Sequence, residues 1–81
     1  MPPNSKVVPG IYRHYKGQDY EVLDVATHTE TDEDFVVYRA LYGEYRLWIR
    51  PLAMFVESVA VEREAIPRFS LIRRFGSEGN Q

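Results

Sequence analysis

At 81 residues and 14% aromatic side chains, the chain has room for one domain, whose small core must rely on large rings. It contains no cysteine, which excludes disulfides, thiolate metal sites and cysteine nucleophiles. A formal net charge of −2 at pH 7 does not favour a general nucleic-acid binder, because phosphate contacts require a basic excess.

The N-terminal part of the chain predicts a tail followed by two paired strands. Residues 1–9 are rich in proline and polar side chains, so we expect a flexible tail. GIYRHY (10–15) alternates as a strand does, and KGQD then predicts a turn with Gly17 at positive φ. YEVLDVATHT (20–29) predicts a longer strand that bends, because neither parity collects all of its apolar side chains.

The middle of the chain predicts an acidic loop and two further strands. ETDED (30–34) lacks the glycine and the distal glutamate of a calcium loop, so we expect it to be solvated rather than a metal site. FVVYRALY (35–42) is the most hydrophobic segment and predicts the central strand. After a short turn, RLWIR (46–50) predicts a fourth strand.

The C-terminal part of the chain predicts one helical turn and one or two more strands. Pro51 ends the fourth strand because it lacks an N–H, and LAMF (52–55) then predicts a single helical turn. VESVAV (56–61) alternates as a strand does, and EREA (62–65) predicts a turn without glycine. IPRFSLI (66–72) predicts a strand or a short helix.

Short strands at regular spacing in so small a chain predict an all-β fold. We expect a small SH3-like barrel of five to six short, strongly bent antiparallel strands. An OB-like barrel is less favoured, because no helix separates the third and fourth strands. The single domain is expected over residues 10–75, with a second flexible tail over 76–81.

Four segments carry a family resemblance. PGIYRHYKGQDYEVLDVATHTET, VVYRALYG, WIRPLAMF and IPRF occur in this order between Pro9 and about Ile72. Together they resemble the bacterial domain of unknown function 1653 family. The resemblance implies a compact SH3-like barrel with no established activity. The sequence departs from the family at EREA (62–65), where an acidic residue and a glycine usually form the turn.

A tryptophan between two arginines marks the fourth predicted strand. If the apolar Leu47 and Ile49 face the core, alternation places Trp48 on the outer face, between Arg46 and Arg50. Aromatic faces stack on rings and arginine pairs with phosphate, so this face is suited to a peptide, a nucleotide or single-stranded nucleic acid.

Tyrosines on neighbouring strands extend this patch. If Val37 and Leu41 face the core, the tyrosines of the third strand lie outside with Trp48. The predicted ligand-binding patch therefore comprises Tyr12, Tyr38, Tyr42, Arg46, Trp48 and Arg50. The alternative is that the C-terminal segment covers the patch, with Phe69 packed on Trp48.

The two histidines suggest a second candidate site. Pairing residue 15 with residue 20 across the first hairpin places His14 opposite Glu21. A polar site of His14, Glu21, His28 and Glu30 would suit a small hydrolase or a nucleotide-processing auxiliary with a histidine–carboxylate pair. The same pairing places the histidines far apart, so we expect no metal ion at this site.

A non-enzymatic binding module is the function that the sequence favours. No nucleophile elbow, phosphate-cradling glycine run or HExxH motif is present, and no cofactor is expected. A homodimerising structural protein is a further alternative, and we expect a monomer or a weak homodimer. No apolar run approaches the roughly 20 residues that cross a membrane, and no signal peptide is recognisable, so we expect a cytoplasmic protein without a membrane partner.

Overall fold

The computed structural model describes residues 7–75, which form seven antiparallel strands and one helical turn. The elements are β1 (Gly10–His14), β2 (Asp19–Thr27), β3 (Asp34–Ala40), β4 (Leu47–Pro51), α1 (Leu52–Phe55), β5 (Ser58–Val61), β6 (Glu64–Pro67) and β7 (Phe69–Arg74). The all-β prediction is confirmed, but the strand count is higher than the expected five to six. Segment 66–72 is divided between two strands, since β6 ends at Pro67 and β7 begins at Phe69. The SH3-like barrel stays a prediction.

Five of the strands form one curled sheet in the order β4-β3-β2-β1-β7, and β5 and β6 form a separate hairpin. The predicted bend in β2 is a bulge between Val22 and Asp24, where the pairing with β3 shifts by one residue. The extra residue allows both Val22 and Val25 to approach the core, which a regular strand would not permit.

The turn between β1 and β2 sets a different register from the predicted one. Gly17 has the predicted positive φ, at 106°, and the His14 N–H donates to the Gln18 carbonyl at 2.8 Å. Pairing therefore begins earlier on β1 than expected, and Ile11 rather than His14 lies opposite Glu21. The prediction that His14 faces Glu21 is wrong, because the turn begins at His14 itself.

One face of the sheet forms the core with α1. The buried side chains are Val7, Tyr12, Tyr20, Val22, Val36, Tyr38, Ala40, Phe55 and Phe69. The rings of Phe55 and Phe69 stack at a centroid distance of 4.1 Å and an interplanar angle of 6°. We call the side of the sheet that carries these residues the inner face and the opposite side the outer face.

The predicted parity of β3 and β4 is inverted. Val36, Tyr38 and Ala40 point to the inner face, so the prediction of Val37 and Leu41 as core residues is wrong. The β4 residues Leu47 and Ile49 were expected in the core but are 51% and 62% exposed. Both segments carry apolar residues at odd and even positions, so hydrophobicity alone could not decide between the two faces.

The segment before β1 packs on the core instead of forming a tail throughout. Val7 is buried, and the Tyr12 hydroxyl both accepts from the Val8 N–H at 3.0 Å and donates to the Val8 carbonyl at 2.8 Å. Residues 1–6 of the predicted N-terminal tail and the predicted tail over 76–81 lie outside the described residues. Within residues 7–75, no helix is long and apolar enough to cross a membrane.

Candidate binding face

The six residues of the predicted patch are divided by the structure. Tyr12 and Tyr38 are buried, Tyr42 and Arg50 are half-buried, and Arg46 and Trp48 are exposed. Trp48 lies directly opposite Tyr38 on the neighbouring strand, and Arg50 lies opposite Val36. Trp48 and Arg50 therefore share the inner face of the sheet, not the outer face that was predicted.

Trp48 packs against the end of a cluster of buried aromatic rings. The Tyr38 ring meets Trp48 edge to face at a centroid distance of 6.3 Å and meets Phe69 at 5.9 Å. Phe69 packs on Tyr38 and Phe55, and Trp48 remains 43% exposed. Trp48 is thus the exposed end of a contiguous set of rings.

The Tyr42 hydroxyl is held at the side of this cluster. It lies 2.7 Å from the Tyr20 hydroxyl, and the two rings meet edge to face at 5.6 Å. Burial, followed by the hydrogen bond with Tyr42, raises the pKa of Tyr20. Tyr20 therefore stays neutral at physiological pH and contributes a ring rather than a charge to this part of the cluster.

Arg50 joins the two edges of the curled sheet. Its Nε–H donates to the Tyr38 hydroxyl at 3.3 Å, and its guanidinium carbon lies 5.6 Å from the centroid of Phe69 on β7. The two ion pairs among the described residues are formed by other arginines, those of Arg13 with Asp19 and of Arg68 with Glu57. Within residues 7–75, Arg50 is therefore a half-buried cation without a carboxylate partner.

His14 and Arg68 add polarity next to Phe69. The His14 ring meets Phe69 edge to face at 5.0 Å, and its Nδ1 accepts the Lys16 N–H at 3.1 Å. Burial, followed by the charges of Arg50, Arg68 and Lys16, lowers the pKa of His14. His14 thus has three positively charged side chains near it on a chain whose net charge is negative.

Arg68 is only partly satisfied. Its Nη2 lies 3.3 Å from Glu57 Oε1, whereas its buried Nε has no hydrogen-bond partner among the described residues. No motif in the sequence marks Arg68, and its one signal is its position directly before the buried Phe69. We call the set of Trp48, Arg50, Phe69, His14 and Arg68 the Trp48 face.

The second predicted site is not assembled. Glu21 lies on the outer face between Ile11 and Arg39, on the side away from the ring of His14. His28 and Glu30 lie together in the exposed β2–β3 loop, where the Glu30 backbone N–H donates to His28 Nδ1 at 3.1 Å. Among residues 7–75, no histidine is hydrogen-bonded to a carboxylate, and no group of three metal-ligating side chains occurs.

A shallow depression of about 320 Å³ lies beside the first turn. Its lining comprises Arg13, His14, Tyr15, Gly17, Ile66, Pro67, Ser70 and Ile72. Arg13 is already engaged, because its Nε lies 2.8 Å from Asp19 Oδ1. The depression thus offers fewer free charges than the Trp48 face.

Comparisons with known proteins agree with the resemblance in the sequence. The family model described as protein of unknown function (DUF1653) matches residues 10–71. The crystal structure of a DUF1653 protein from Bordetella bronchiseptica is 38% identical and superposes with a TM-score of 0.76, covering 89% of this chain and 95% of that one. No curated protein matches the sequence. Since the match extends from the first strand into the last, the chain belongs to the DUF1653 family, whose function is unknown.

Proposed function

We propose that the protein is a non-enzymatic binding module that uses the Trp48 face to bind an anionic ligand with a planar ring, of which a nucleotide is the simplest example. The observation that carries the proposal is the pairing of an exposed ring with an unpaired cation on one strand. Trp48 is 43% exposed, and Arg50, two residues further on the same face, has no carboxylate partner in the described chain.

The chemistry of the two side chains supports this ligand class. An exposed indole stacks on a base or another flat ring, which is worth about 1–3 kcal/mol per ring by alanine substitution. Arginine presents a planar set of donors that matches phosphate oxygens, and such charge-assisted bonds are stronger than neutral ones. The two groups together recognise a ring and an anion at neighbouring positions.

The surroundings of Arg50 favour an anion over a cation. Arg50 is fixed by Tyr38 and Phe69, so its guanidinium loses little conformational entropy when a ligand binds. Arg68 and Lys16 contribute further positive charge near His14. A ligand phosphate would supply the negative charge that this part of the protein lacks.

Intrinsic fluorescence tests the proposal directly, because Trp48 is the chain's one tryptophan. We expect adenosine monophosphate to quench the emission in a saturable titration. Adenosine, which lacks the phosphate, should bind at least tenfold more weakly, since a charge-assisted hydrogen bond contributes about 1.5–3 kcal/mol. Inorganic phosphate should compete without quenching.

A pair of arginine variants assigns the effect to the site. Arg50→Gln should weaken binding of adenosine monophosphate at least tenfold in calorimetry. Arg39→Gln removes the same charge from the outer face, where Arg39 lies opposite Leu47, and should leave the affinity unchanged. Equal binding of adenosine and its monophosphate would contradict the proposal, and so would a response confined to uncharged peptides.

A further inference from the structure

The free edge of the main sheet carries a second set of unusual features. In the described part of the chain, β4 pairs with β3 alone and ends the sheet. The Ala40 N–H donates to the Arg46 carbonyl at 3.1 Å, so these two residues form a hydrogen-bonded pair at the end of the β3–β4 ladder. Because hydrogen-bonded pairs alternate in antiparallel sheets, the backbone groups of Leu47 and Ile49 point away from β3.

The same two residues expose large apolar side chains. Leu47 and Ile49 are 51% and 62% exposed, and Trp48 between them is 43% exposed. Natural proteins usually protect an edge strand with charges, proline or a covering segment. Here Arg46 precedes β4 and Pro51 is its last residue, but the first three residues of the strand, Leu47, Trp48 and Ile49, are all apolar. An apolar edge with outward-pointing backbone groups is suited to the addition of another strand.

We propose that this edge binds a second copy of the chain, with the two β4 strands pairing antiparallel about a two-fold axis at Ile49. In this register Ile49 lies opposite Ile49 of the second copy, and each Trp48 lies opposite an Arg50. Each Trp48–Arg50 pair places a cation next to an indole, a contact worth about 0.5–1 kcal/mol at exposed sites. The strand therefore complements itself, since it supplies both members of each pair.

Charge favours this register over its neighbour. Ile49 exchanges two backbone hydrogen bonds with its counterpart, which places a hydrogen-bonded pair on the axis itself. A register centred on Trp48 would place Arg46 opposite Arg50, and like charges directly opposite are destabilising. The net charge of −2 per chain adds little long-range repulsion between the two copies.

Cysteine cross-linking tests the register, because the natural chain has no cysteine. In a hydrogen-bonded antiparallel pair the Cα atoms are about 5.5 Å apart, within the range of about 4.4–6.8 Å that a disulfide spans. Ile49→Cys should therefore cross-link to itself under mild oxidation. Leu47→Cys should react at least tenfold more slowly, since its counterpart lies four residues along, at about 13 Å. Equal rates, or faster reaction of Leu47→Cys, would overturn the register.

Variants that place opposite charges at Ile49, on the proposed two-fold axis, test the association itself by sedimentation velocity. The wild-type chain should show a dimer that dissociates on dilution, and Ile49→Lys and Ile49→Glu should each raise the dissociation constant at least tenfold. Mixing the two variants should restore a heterodimer, which a variant that had merely lost its fold could not do. A wild-type chain that sediments as a monomer up to millimolar concentration refutes the proposal. Binding of adenosine monophosphate to monomeric Ile49→Lys is a separate measurement, so the two proposals fail independently.

Discussion

The hairpin between β5 and β6 should become more stable when its turn receives the residues that its backbone requires. Val61 pairs with Glu64, so the connection consists of Glu62 and Arg63 alone. Both residues have positive φ, at 51° and 73°, as in a type I′ turn. This turn prefers Asn-Gly, which the Glu62-Arg63 pair does not supply.

The size of the effect follows from the two dihedral angles. An L-residue in the left-handed region costs roughly 1–2 kcal/mol, and glycine avoids this cost but loses about 0.5–1 kcal/mol through the greater freedom of the unfolded chain. Arg63→Gly should therefore stabilise the protein by about 0.5–1 kcal/mol, and adding Glu62→Asn should bring the total to about 1–1.5 kcal/mol. Both side chains are exposed, so their removal empties no packed space.

Thermal unfolding followed by circular dichroism measures this gain. For a domain of this size, 1 kcal/mol corresponds to about 4–8 °C in Tm, so the double variant should melt about 5–10 °C higher. Ala65→Gly is the matched control, because it introduces glycine into β6 beside the turn and should lower Tm. A decrease for Arg63→Gly similar to that of the control would refute the turn assignment.

Three further predictions concern the core and its protonation. Gly10→Ala should destabilise the protein by about 1–3 kcal/mol in urea unfolding, because the added Cβ would meet the backbone carbonyl of Arg73 on β7. An unchanged midpoint would show that β1 and β7 can move apart to make room for the methyl group. Phe55→Ala should lower the free energy of unfolding by about 3–5 kcal/mol, because Phe55 is buried. Met54→Ala, on the exposed side of the same helical turn, should lower it by under about 1 kcal/mol, and equal losses would contradict the assigned core. Because the pKa of His14 is lowered from its ordinary 6.5, the unfolded chain binds a proton more readily. The free energy of unfolding should therefore fall as the pH decreases from 7 through 6.5 towards the folded pKa, and His14→Gln should flatten this part of the profile.

Local patterns in the sequence predicted the elements but not all of their faces. The helical turn over 52–55 and the positive φ of Gly17 were correct, because each depends on a few adjacent residues. The bend in β2 was also predictable, since its apolar residues do not follow one parity. By contrast, pairing between strands depends on where each turn begins, and a shift at His14 changed the partner of Glu21.

The sequence predicted some of the residues of the Trp48 face but not the contacts that bring them together. Trp48 and Arg50 do share one face, as alternation requires. The approach of Arg50 to Phe69 brings together the two ends of the five-stranded sheet, and no local pattern indicates such a long-range contact. Arg68 was missed for the same reason, because its position near His14 depends on β7 pairing with β1.

The inverted parity of β4 assigns its two proposed uses to different parts of the strand. Hydrophobicity alone would place Leu47 and Ile49 inside, but Tyr38 occupies the inner face and its buried hydroxyl is satisfied by Arg50. That hydrogen bond requires Arg50, and with it Trp48, to lie on the inner face, so the apolar residues must point outward. Ligand recognition would then use the inner face of β4, while association would use its edge through Ile49. A substitution at Ile49 should separate the two properties, whereas a substitution at Arg50 should affect both.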